Sequence, residues 1–190
     1  MDTQQTAYPL VNPAHDRDAC GVGMIASRQR TASHALVRDA VECLVRLDHR
    51  GAKAADGTGD GAGLLTQIPY RVLERDLGRA GIDTPGHERL GLLMVFLPKD
   101  DPAHAKDVIE SAIAAEGLEG LLWRAVPTDP KYLGDRARQL MPGIEQYIVA
   151  APEGMDDEGL ERSLYLVRRK IERVAEAEGL DELSIPSASG

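Results

Sequence analysis

Glycine occupies every second position in Gly57-Thr58-Gly59-Asp60-Gly61-Ala62-Gly63, a few residues after the turn His49-Arg50-Gly51. Successive backbone N–H groups in a loop of this kind can cradle an anion. The known phosphate-binding loops, however, open into a helix, and this one runs into the apolar, strand-like Leu64-Leu65-Thr66-Gln67-Ile68. No GxxxxGK[ST] is present either, so both the P-loop and the dinucleotide-binding fold lose the context they require. The glycines read instead as suppliers of positive φ and tight turns beside a site, with Asp60 bracing the turn.

Around this loop the pattern alternates between short apolar runs and amphipathic stretches. Strands are expected over 20–26, 64–68, 90–97, 121–126 and 144–150, two of them stopped by Pro69 and Pro98. Helices are expected over 33–47, 70–79, 103–116 and 158–178. In the first, Leu36, Val37, Ala40, Val41, Leu44 and Leu47 recur at three and four. In the last and longest, Leu160, Leu164, Val167, Ile171 and Val174 do the same. Residues 183–190 begin like a strand and stop. Residues 1–19 are polar and aperiodic, an extended leader. No internal repeat and no second core is visible, so 20–190 reads as one mixed unit of α and β.

Composition removes whole classes of function. Lys and Arg number 22 against 31 Asp and Glu, a net charge of −9, which repels phosphate backbones and anionic membrane surfaces. One Trp, five Tyr and one Phe are too few for a stacking platform along single strands. No nucleic-acid partner is expected, and no membrane partner, since the run Leu92 to Leu97 is far short of the roughly 18 residues a span needs. The start lacks a secretory signal. Two cysteines, Cys20 and Cys43, give neither a disulfide framework nor a zinc site, so no metal is expected and a reducing, cytoplasmic compartment fits.

Candidate chemistry is confined to few residues. Cys20 heads a strand behind the leader; Arg50 lies in the His-Arg-Gly turn; Asp60 sits among the glycines. Cys43 rides within a helical apolar pattern and reads as a core residue. His15, His34, His49, His87 and His104 are scattered and read as solvated or structural. Arg168-Arg169-Lys170, on a helix rich in Glu, reads as a solvated face with ion pairs at i,i+4.

Taken together, Ala19-Cys20-Gly21-Val22-Gly23, His49-Arg50-Gly51-Ala52 and Thr58-Gly59-Asp60-Gly61-Ala62-Gly63 resemble the N-terminal part of the class II glutamine amidotransferase domain of the bacterial glutamate synthase large subunit, in the N-terminal nucleophile hydrolase superfamily. Pro142-Gly143-Ile144-Glu145-Gln146 and the basic helix from Tyr165 to Arg173 extend the likeness along the chain. The resemblance implies an α+β fold, a four-layer αββα sandwich that is incomplete in this chain. It implies cleavage between Ala19 and Cys20, which makes Cys20 the first residue of the mature domain and its nucleophile. Its freed α-amine, with a pKa near 8, then has the strength to take the thiol proton. Arg50 matches the family arginine that holds the α-carboxylate of L-glutamine, and Gly59, Asp60 and Gly61 would shape that site. The implied reaction is hydrolysis of L-glutamine to glutamate and ammonia through a γ-glutamyl thioester, for glutamate biosynthesis.

Three family features are missing from the sequence: the Asn-Gly pair of the oxyanion hole, the second arginine, and its Ser-Thr-Asn neighbours. An oxyanion donor is typically worth about 10²- to 10³-fold in rate. The chain is therefore expected to be an N-terminal portion, domain 20–190 following leader 1–19. The remainder of the large subunit, and with it the small subunit, would be its partners. It holds no cofactor of its own; FMN and an iron–sulfur cluster would belong to downstream domains. The competing expectation is a catalytically inactive fragment that serves only binding or assembly.

Overall fold

A computed structural model describes residues 21–29, 31–59 and 61–190. The leader 1–19, Cys20 and Asp60 lie outside the described residues. The chain divides into two compact units, one up to Leu65 and one from Thr66 to Gly190.

The first unit contains α1 (His34–Arg46), capped at its start by Ser33, whose hydroxyl accepts from the Leu36 N–H at 3.4 Å. A 3-10 turn, Asp48–Arg50, follows directly. None of the described residues 21–65 is buried. Val37, Val41 and Val45 of the α1 apolar face stay exposed, and so do Val22, Met24 and Leu65. Cys43 is exposed as well, which corrects its reading as a core residue: the helical pattern is real, but nothing described covers that position. The strands expected over 20–26 and 64–68 are not formed in the described residues 21–26 and 64–68, because a strand is defined by a ladder and neither segment pairs with another.

The second unit holds the core. Its elements are α2 (Tyr70–Arg79), β1 (Leu90–Leu97), α3 (Pro102–Ala115), β2 (Glu119–Ala125), α4 (Asp135–Leu140), β3 (Gly143–Ala150), α5 (Asp157–Glu178) and β4 (Ser184–Ser189). The four strands form one antiparallel-paired sheet in the order β2-β3-β1-β4. In that order β3 separates β1 from β2, and β1 separates β3 from β4. The β1-α3-β2 and β3-α5-β4 segments are thus two split βαβ units, interlocked as in ferredoxin-like plaits. The β1–β3 ladder is regular from Leu90↔Ala150 to Leu97↔Gly143, whereas the β1–β4 ladder shifts register between Met94 and Phe96.

The strand period of two decides what each face meets. Leu93, Val95 and Leu97 are buried with Ala105, Ile109 and Ile113 of α3 and Leu160, Leu164, Val167 and Ile171 of α5. Each fully buried aliphatic side chain is worth about 1.5–3 kcal/mol. Leu90 and Ile148 point the other way and pack on Leu73 and Leu77 of α2, with Leu92 and Leu122 at the margin. Gly91 interrupts the apolar run of β1 for a reason of space. A Cβ there would come within 2.9 Å of Val149 Cγ2 and 3.1 Å of Leu164 Cδ1, so its absence lets α5 lie close to the sheet.

Polar contacts tie α2 to the sheet. Arg124 of β2 donates to Asp76 Oδ2 at 2.7 Å and to Gln146 Oε1 at 2.6 Å. The hydrogen bond from Arg124, and a second from Arg75, hold the Asp76 carboxyl below its ordinary value of 3.8. On the opposite face Trp123 stacks on Tyr147 with centroids 4.3 Å apart, and its indole N–H donates to Glu110 at 2.7 Å. Burial and the Glu110 charge push the Tyr147 phenol up to about 12.

Three histidines match their structural reading: His49, described below, His87, stacked on Tyr70 and 2.5 Å from Glu74, and His104, 2.7 Å from Glu178. Arg168 and Arg169 both pair with Glu172, while Lys170 reaches across to Glu116 beyond the end of α3.

Candidate active site

The site is built in the first unit from the end of α1 onward. The Leu47 N–H closes α1 onto the Cys43 and Leu44 carbonyls, and the Arg50 N–H then donates to the Leu47 carbonyl at 2.8 Å. This tight succession turns the backbone at His49-Arg50. His49 Nδ1 lies 2.9 Å from the Arg46 carbonyl and so carries the hydrogen; the ring braces the turn. Asp48 pairs with Lys53 at 2.9 Å.

The glycine-rich segment folds into a small hairpin. Lys53 and Gly59 form an antiparallel bridge, and the Ala54 N–H donates to the Thr58 carbonyl at 2.7 Å. Asp56 organises the tip, accepting from the Thr58 N–H at 3.0 Å and the Thr58 hydroxyl at 2.8 Å. Sequence reasoning assigned that bracing to Asp60, which lies outside the described residues, and passed over Asp56. The signal was present: Asp56-Gly57 is a turn dipeptide whose glycine takes the left-handed backbone, φ 80°. Among the described glycines of the loop, Gly57 alone needs positive φ.

These pieces enclose a cavity of about 530 Å³ whose walls include Gly21, Leu47, Arg50, Gly51, Gly59 and Gly61. That size suits a small polar ligand. Of the residues singled out from sequence, Arg50, Gly59 and Gly61 are brought together here; Ala19, Cys20 and Asp60 lie outside the described residues. Gly21, the residue after Cys20, lies against Arg50: a Cβ on it would sit 3.4 Å from Arg50 Cβ and Cγ and 3.2 Å from Leu47 Cδ2. Three charged side chains line the cavity, Asp48, Lys53 and Arg50. Asp48 and Lys53 answer each other, whereas the Arg50 guanidinium has no hydrogen-bond or ion-pair partner among the described residues. Among the described residues Arg50 is therefore the cation left uncommitted at this cavity, and a guanidinium carries two parallel donors, the geometry a carboxylate accepts. No group of three His, Cys, Asp or Glu able to hold a metal ion occurs among the described residues.

A mixed α+β chain with antiparallel pairing, an arginine turn and a glycine-rich hairpin around one cavity agrees with what comparison finds, since the family model described as "Glutamine amidotransferases class-II" matches residues 20–190. The chain belongs to that family. Among curated relatives it is 40% identical over 177 residues to the ferredoxin-dependent glutamate synthase 2, chloroplastic, of Arabidopsis thaliana, covering 92% of this chain and 11% of the relative. It is 36% identical over 191 residues to the glutamate synthase [NADPH] large chain of Azospirillum brasilense, covering 98% and 12%. The large chain of Bacillus subtilis (strain 168) shows 35% identity over 179 residues, covering 92% and 12%. The chain thus spans about a ninth of the length of these relatives.

Proposed function

We propose that this chain carries the nucleophile-bearing part of a glutamine-hydrolysing domain that supplies ammonia for glutamate synthesis. The observation that carries this is Arg50, unpartnered among the described residues, in a cavity wall that also contains Gly21, one residue from Cys20. In this reading residues 1–19 are a leader and 20–190 the amidotransferase portion. Removal of the leader frees the Cys20 α-amine, which takes the thiol proton. The thiolate attacks the γ-carbonyl of glutamine, and collapse of the tetrahedral adduct expels ammonia, protonated by the α-ammonium, to leave a γ-glutamyl thioester. Water then adds to the thioester, giving up a proton to the amine; glutamate departs and the thiolate returns. Arg50 holds the substrate's α-carboxylate, with Gly59, Asp60 and Gly61 shaping the pocket beside it.

The four-layer αββα sandwich belongs to the same proposal. Among the described residues there is one sheet, and the unpaired stretches 21–27 and 61–68 are the segments a second sheet would use. The FMN and iron–sulfur cluster of the family lie in other domains on this reading, since two cysteines cannot supply a cluster's thiolates. The rest of a large chain, and a small subunit, are the proposed partners and the cytoplasm the proposed compartment. No helix among the described residues is long and apolar enough to cross a membrane.

The test is intact mass of the expressed chain together with glutamine hydrolysis by it and by Cys20→Ala. Loss of residues 1–19 and turnover abolished in the variant are expected. Retention of the leader with hydrolysis indifferent to Cys20→Ala overturns the reading. A second reading, binding or assembly without turnover, is favoured by one observation: no described residue of the first unit is buried, so the site stands open to water. Turnover by the processed chain alone would exclude it.

A further inference from the structure

The helix layer of the second unit carries a groove on the side away from the sheet. It lies between α3 and α5, with a volume of about 610 Å³. Val108, Ala112 and Ala115 of α3 and Val174 of α5 supply an apolar lining, small enough in side chain for another helix to come close. Leu166, 37% exposed, stands one helical turn before the groove residue Lys170 and two before Arg173, so it prolongs the α5 wall. Two polar pairs are closed at this surface, His104 with Glu178 and Lys170 with Glu116.

Two charges remain. Asp107 on the α3 wall and Arg173 on the α5 wall face the same groove, and among the described residues neither has a hydrogen-bond or ion-pair partner. They are opposite in sign and carried on opposite walls. A two-fold axis standing over the groove brings each wall onto the other wall of a copy. The surface is therefore its own electrostatic complement, which is the condition for an isologous contact.

We propose that the α3–α5 groove is a contact surface between two copies of this chain, whose helix layers stack about a two-fold axis with Arg173 of each protomer on the partner's Asp107. The apolar lining supplies the attraction, and the crossed charge pairs fix the register. A net charge of −9 on each copy opposes approach at long range, so the contact forms best where salt screens charges beyond about 8 Å, near 0.15 M.

Sedimentation equilibrium of the full chain at that ionic strength tests the idea, with circular dichroism to confirm that each variant is folded. A dimer is expected. Asp107→Arg and Arg173→Asp should each raise the dimer dissociation constant about tenfold or more, because each places like charges face to face twice in the assembly. The double variant Asp107→Arg/Arg173→Asp restores opposite signs and should recover the dimer. Should a reversal fail to fold, Asp107→Asn and Arg173→Gln remove the same pairs more gently. A monomer at every concentration up to about 0.1 mM, where an association with a micromolar dissociation constant would be nearly complete, overturns the proposal. A dimer indifferent to the single changes, or not recovered by the exchange, overturns it as well and assigns association to another surface.

Discussion

A guanidinium offers a carboxylate two parallel N–H donors, where an ammonium offers a compact point charge. Arg50→Lys therefore keeps the charge of the cavity and loses its fork. The KM for glutamine should rise about tenfold, the equivalent of about 1.4 kcal/mol, with kcat little changed. A fall in kcat at constant KM would remove the carboxylate role and leave Arg50 a positioning residue for the segment after Cys20. Tyr147 carries a different prediction. With its phenol raised to about 12, the neutral form is favoured on folding, so this contribution is complete below the unfolded value of 10 and is lost as pH rises through the folded one. Alkaline titration followed by tyrosinate absorbance should show a late component that Tyr147→Phe removes. Gly91 makes the simplest case: Gly91→Ala forces a Cβ between Val149 and Leu164 and should lower stability by about 1–3 kcal/mol, read from denaturant midpoints.

Elements were legible wherever local pattern and burial agree. The run 90–97 and the helix pattern 70–79 coincide with β1 and α2 residue for residue, and the helices read over 103–116 and 158–178 match α3 and α5 to within a residue. Periodicity could not reveal pairing. That β3 lies between β1 and β2 depends on contacts such as Trp123↔Tyr147 and Leu93↔Tyr147, which no local window contains. The same limit explains 21–26 and 64–68, where apolar composition suggested strands but no partner completes a ladder. At the site, the His-Arg-Gly turn and the glycine loop were visible from residue type, while the role of Asp56 had to be seen in its hydrogen bonds to Thr58. Asp76 gives the test for how α2 is held. Its lowered pKa, caused first by Arg124, contributes stability that is present above the ordinary aspartate value and lost as pH falls through the folded one. Acid unfolding of Asp76→Asn should lack that limb and begin from a less stable protein at neutral pH.

Over the whole molecule, burial is unequally shared. Among the described residues every buried one belongs to the second unit, while α1 keeps its valines exposed. Local opening follows burial, so amide hydrogens of α1 should exchange well before those of β1, β3 and α5. Equal protection in the two units would contradict this.

The strand order has one further consequence, for synthesis on the ribosome. Leu90–Leu97 is one of the two inner strands of the sheet, yet its two neighbours are Gly143–Ala150 and Ser184–Ser189, both translated later. At ~5–20 residues per second, the most apolar strand of the protein waits several seconds for its first partner. The nascent chain must therefore carry an unpaired, water-averse ribbon past the exit tunnel, and a holdase at that stage would raise the yield of folded protein, whereas slowed translation of 98–150 would lower it.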